Sequence, residues 1–163
     1  MVKHVGIVDS AQYHLPCAAD ALLADELYAA LESAALPSGA RVLVVNDVTC
    51  GMLPLKLARA GVGVDVVSEC SLLSAAVETV LASAEGGAPP GVRNFQGCVV
   101  TDKAQRETRF SFIPSADFKA QYDAVAFPSL LRDACGDADL FAARVDKAAR
   151  ICDAWLRRAA DGG

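Results

Sequence analysis

The 163-residue sequence lacks any apolar run of the roughly 20 residues needed to span a bilayer, and its amino terminus lacks the charged-then-apolar layout of a signal peptide. No two of the six cysteines, Cys17, Cys50, Cys70, Cys98, Cys135 and Cys152, form a C-x-x-C pair, which leaves a zinc site unsupported. They stand among apolar residues and read as reduced, buried side chains of a cytoplasmic protein. The two histidines, His4 and His14, lie close to the amino terminus with no G-x-S-x-G elbow to serve, so a hydrolase triad is without support. There is no G-x-x-x-x-G-K-[ST] segment, which excludes a P-loop. Basic residues are neither numerous nor gathered. With 15 Lys and Arg against 20 Asp and Glu, the net charge of −5 opposes tight binding to a phosphate backbone, leaving RNA as at most an indirect partner.

What is present is apolar and alternating. Hydrophobic residues make up 53% of the chain and charged ones 21%, enough to bury the core of one soluble domain over residues 1–163, with 1–16 as an amino-terminal arm. From Ala18 to Ala34 the spacing predicts a helix with Leu22, Leu23, Leu27, Ala30, Leu31 and Ala34 on one face, and Leu36-Pro37-Ser38-Gly39 ends it. Arg41 to Asn46 reads as a buried parallel strand, Met52 to Arg59 as a short helix closed at Gly61, Val62 to Ser68 as a second buried strand, and Ser71 to Ala84 as a second crossover helix. The Gly/Pro stretch 85–91 predicts a loop. A third strand is expected over Gly97 to Thr101, a short one, parallel or antiparallel, around Phe110, Phe112 and Ile113, and another buried one over Tyr122 to Phe127. Asp137 to Ala159 reads as a long amphipathic helix with Phe141, Val145, Ala148, Ile151, Cys152 and Trp155 inward. Strands alternating with helices predict an α/β fold, a Rossmann-like and mostly parallel sheet with helices on both faces.

In such a sheet ligands bind beyond the carboxyl ends of the strands, so the residues that follow each strand are the candidates. After the first strand these are Asn46, Asp47, Val48, Thr49, Cys50 and Gly51. A carboxylate at Glu69, after the second, has the position from which to accept both hydroxyls of a ribose; it equally suits the first turn of the next helix, where the dipole favours an acid. Asp102 has the matching place after the third strand, facing an adenine amino group or solvent. Asp47 and Thr49 can contact a ligand or cap the Met52 helix. Phe127, Pro128 and Ser129 follow the later strand.

The helix at Ala18–Ala34, the segment Leu36-Pro37-Ser38-Gly39-Ala40-Arg41-Val42-Leu43-Val44-Val45, the loop, helix and strand after it, and the acid at Glu69 together resemble a class I S-adenosylmethionine-dependent methyltransferase. Ala18-Ala19-Asp20, Asn46-Asp47 and Glu69-Cys70-Ser71 resemble more narrowly the amino-terminal half of the ribosomal RNA guanine-N2 methyltransferases. The resemblance spans residues 18–82 and, more faintly, 97–131. It implies one copy of a duplicated fold, in which the amino-terminal copy has lost the cofactor site and supports the catalytic copy, so the chain is expected to belong to a longer protein. It maps the glycine-rich cofactor turn onto Asn46 to Gly51, where Gly51 is the only glycine, the ribose acid onto Glu69 and the adenine-edge acid onto Asp102. The catalytic Asn-Pro-Pro-aromatic motif falls on Phe127-Pro128-Ser129-Leu130, which keeps one proline and no asparagine. Two alternatives stay open: an active small methyltransferase with a divergent cofactor turn, and a response-regulator-like receiver, to which Val42-Leu43-Val44-Val45-Asn46-Asp47 is similar.

Overall fold

The computed structural model describes residues 18–100, 111–112, 122–130 and 136–157. The elements in chain order are α1 (Ala18–Ser33), β1 (Arg41–Val45), α2 (Met52–Arg59), β2 (Gly63–Ser68), α3 (Ser71–Ala82), β3 (Val92–Gln96), β4 (Cys98–Val99), β5 (Ser111–Phe112), β6 (Ala124–Ala126) and α4 (Ala138–Trp155). The amino-terminal arm, Asp102 and the polar stretch Lys103 to Arg109 lie outside the described residues.

Four strands form a parallel sheet in the order β3-β2-β1-β6. Arg41 to Val45 pair with Gly63 to Val67, and Val42 to Val44 pair with Ala124 to Ala126. The third strand adds beyond the second rather than beside the first. That is the Rossmann order, whereas a receiver places its third strand beside the first, so the strand order removes the receiver alternative. Alternate side chains of each strand feed opposite faces. Val42, Val44, Val64 and Val66 pack against Ala24 of α1, Leu53 and Leu57 of α2, and Val77 and Leu81 of α3. Leu43, Val45 and Val67 pack against Tyr122 and Ile151 of α4 on the other face. The sheet is thus covered on both sides, as its valine-rich central strands require.

Several sequence expectations need correction. The third sheet strand is Val92–Gln96, not Gly97 to Thr101; the apolar stretch behind it contributes only Cys98–Val99, which pairs with Ser111–Phe112 in a separate ribbon. That pairing is parallel, not antiparallel. The β6 pairing is confined to Ala124–Ala126, and Tyr122 instead bridges Leu156. In α1 the buried positions are Asp20 and Ala24, with Leu27, Tyr28 and Leu31 packed beside Ala24 against the sheet. Leu22, two residues off that face, is 62% exposed, and Ala30 and Ala34 are exposed too. On α4 Ala148 and Ile151 are buried, but Phe141 and Val145 face solvent. Of the described cysteines, Cys50 is buried and Cys70 is exposed.

Candidate functional site

The turn from Asn46 to Gly51 joins the carboxyl end of β1 to α2 and is built around Asp47. Asp47 and Thr49 are both fully buried. The Asp47 carboxylate accepts the Thr49 amide at 3.0 Å, the Thr49 hydroxyl at 2.5 Å and the Gly51 amide at 2.7 Å. Thr49 Oγ1 in turn accepts the Leu53 amide at 3.1 Å. The Asp47 carbonyl takes the Cys50 amide and the Thr49 carbonyl takes the Met52 amide, each at 3.1 Å. Every amide from Thr49 to Leu53 is therefore satisfied within the turn. These are the donors that a helix amino terminus otherwise offers to an anionic or nucleotide ligand. Burial pushes the Asp47 carboxyl above its ordinary value, against the lowering pull of its Thr49 and Gly51 donors.

Gly51 has a reason for being glycine that is separate from any ligand. Its φ is +91°, and a Cβ there would lie 3.2 Å from both the Val77 carbonyl oxygen and Val80 Cβ of α3. The close approach is between the turn and the neighbouring helix. Asn46 and Cys50 reach the left-handed region without being glycine, each at φ 53°. Asparagine tolerates that conformation through its short polar side chain.

Asn46 also ties β1 to the end of β2. Its Oδ1 accepts the Glu69 amide at 2.9 Å, and its Nδ2 donates to Glu69 Oε2 at 3.4 Å. The other Glu69 oxygen lies 2.5 Å from Lys147 Nζ on α4. Val45, Asn46, Glu69, Phe127, Ser129 and Lys147 line a cleft of about 50 Å³, with Arg144, Ala148 and Ile151 completing its α4 wall. Pockets that enclose drug-sized ligands hold about 300–1,000 Å³, so this cleft has room for solvent rather than for a nucleoside.

The structure thus brings together Asn46, Glu69, Phe127 and Ser129 of the sequence candidates. It buries Asp47 and Gly51 away from the cleft's lining, and buries Pro128 in the turn after β6. Asp102 falls outside the described residues. Sequence reasoning missed Arg144 and Lys147. The available signal was their spacing with Ala148 and Ile151, at helical intervals on one side of α4.

A second cluster escaped notice on the α4 face of the sheet, nearer the amino ends of the strands. Asp65, fully buried in β2, accepts Arg93 Nε and Nη2, each at 2.7 Å, Arg41 Nη2 at 2.9 Å and the Tyr122 hydroxyl at 2.7 Å. Burial opposes ionisation of Asp65, but the Arg93 and Tyr122 hydrogen bonds and the Arg41 and Arg93 charges outweigh it and hold the carboxyl below its ordinary value. Burial and the Asp65 carboxylate push the Tyr122 phenol up. All four residues satisfy one another, and the cluster binds β1, β2, β3 and the entry to β6 into one unit.

Comparison with known protein families, curated proteins and solved structures found no match for this chain. Among the described residues no group of His, Cys, Asp and Glu is placed to hold a metal ion, and no helix is long and apolar enough to cross a membrane.

Proposed function

We propose that this chain is a methyltransferase-like domain that has kept the fold and given up the cofactor site, and that it serves ribosomal RNA (guanine-N2) methylation in the cytoplasm by supporting a catalytic partner domain of the same or another chain. The observation that carries the proposal is the turn after β1. In a cofactor-binding turn the backbone amides face the ligand; here those of Thr49 to Leu53 are consumed by Asp47 and Thr49. The residues present do not fit S-adenosylmethionine: the cleft beside Asn46 measures about 50 Å³ and its acid, Glu69, is engaged by Lys147. The β6 turn, Phe127-Pro128-Ser129, offers no asparagine side chain to orient an amine for in-line attack.

The sheet order supports the methyltransferase-like part of the proposal, and the acidic balance supports an indirect role toward RNA. Leu140, Phe141 and Val145, each about two-fifths exposed on α4, are the apolar side chains that a partner domain would cover. Ultraviolet cross-linking with radiolabelled S-adenosylmethionine tests the proposal. No label should enter this chain under conditions that label an intact methyltransferase. Labelling that unlabelled cofactor competes away would instead support the second reading, an active enzyme with a divergent turn.

A further inference from the structure

The two halves of α4 are held very differently. The carboxyl-terminal half is anchored: Ala148 and Ile151 are buried, and Trp155 Nε1 donates to the Val100 carbonyl at 3.1 Å. The Tyr122 amide donates to the Trp155 carbonyl at 3.1 Å, and the Arg157 amide donates to the Tyr122 carbonyl at 2.7 Å. From residue 138 to 147 no side chain is buried, and Arg144 alone is half-buried. The helix is nonetheless well formed to its start, where Asp137 caps it by accepting the Leu140 amide at 2.9 Å. It is a rod fixed at one end. The ion pair between Lys147 and Glu69 joins its loose half to the sheet, at the carboxyl ends of the strands, and Asn46 holds Glu69 in place for it.

We propose that the amino-terminal half of α4 is a strap across the crevice, latched by Lys147 on Glu69 and anchored from Ala148 onward. An exposed ion pair suits a latch. Lys147 is 54% and Glu69 39% exposed as side chains, so the pair is weak and salt-sensitive. Release lifts the ammonium off the Glu69 carboxylate and lets the turns of α4 before Ala148 fray. The inference rests on the reading of the crevice as a vacated cofactor site, because it makes a helix residue the occupant of the acid that a ligand would otherwise engage.

Amide hydrogen exchange on the full chain tests the strap without any ligand. Lys147→Ala and Glu69→Gln should each speed exchange of the amides of Ala142 to Lys147 about two- to five-fold, and the double variant should go no further. Alanine favours helix over lysine, so a faster rate in Lys147→Ala cannot come from helix propensity. The amides of β1 and of Ile151 to Trp155 should keep their wild-type rates, and molar salt should loosen the wild type to the level of the variants. Unchanged rates at Ala142 to Lys147, additive effects in the double variant, or equal acceleration throughout the core would each overturn the proposal. Since the readout involves no cofactor, a failed strap leaves the proposed function standing, whereas cofactor binding by the wild type would sink the proposed function and with it the strap's place as occupant of the acid.

Discussion

Asp47 and Thr49, two residues apart, clasp each other inside the turn after β1, with Thr49 Oγ1 donating to Asp47 Oδ1 at 2.5 Å while accepting the Leu53 amide at 3.1 Å. One hydroxyl thus serves as donor to the turn and as cap to α2. Thr49→Val keeps the shape and removes both bonds, leaving a buried carboxylate short of a donor and a helix amide short of an acceptor. It should cost about 2–3 kcal/mol in urea denaturation, while Thr49→Ser, which keeps the hydroxyl, should recover most of the loss.

Gly51 should tolerate no side chain. A Cβ meets the backbone oxygen of Val77 at 3.2 Å, and the residue sits at φ +91°. Gly51→Ala combines a left-handed alanine with crowding against a helix backbone, for an expected loss of about 2–4 kcal/mol. A substitution with no effect on the denaturation midpoint would show that the turn does not lie this close to α3.

The Asp65 cluster should give the fold a signature in acid. An unfolded aspartate titrates near pH 3.9, and the folded value is lower. The stabilisation is therefore complete above about pH 4 and is lost as pH falls through the folded value. Asp65→Asn should cost about 2–4 kcal/mol at neutral pH, somewhat less than breaking a fully buried pair because Arg41 and Arg93 are 30% and 52% exposed. The stability gap between wild type and Asp65→Asn should narrow on going to pH 2. A gap independent of pH would mean that Asp65 is not an ionised partner of the two arginines.

Where the sequence was legible, burial alone determined the pattern. Val42 to Val45 are covered on both faces and read as a continuous apolar run, and Val64, Val66 and Val67 are buried around the ion-paired Asp65. β3 pairs only with β2 among the described strands, and its Val92-Arg93-Asn94-Phe95-Gln96 carries polar residues that hide it, while the more apolar Cys98-Val99 behind it draws the eye. Phe141 and Val145 follow helical periodicity but are 38% and 41% exposed, so periodicity alone did not tell them from buried positions. The site was half visible. Asn46 and Glu69 sit where strand ends predict, but Lys147 is 78 residues beyond Glu69, and Tyr122 is 57 beyond Asp65. Spacing carries no trace of partners that meet only through the fold.

The most direct test of a fold retained without its cofactor site is calorimetric titration of the folded chain with S-adenosylmethionine. The inward-facing amides of Thr49 to Leu53 and the small cleft at Glu69 predict no saturable heat up to millimolar ligand. A stoichiometric isotherm with a micromolar Kd would contradict them.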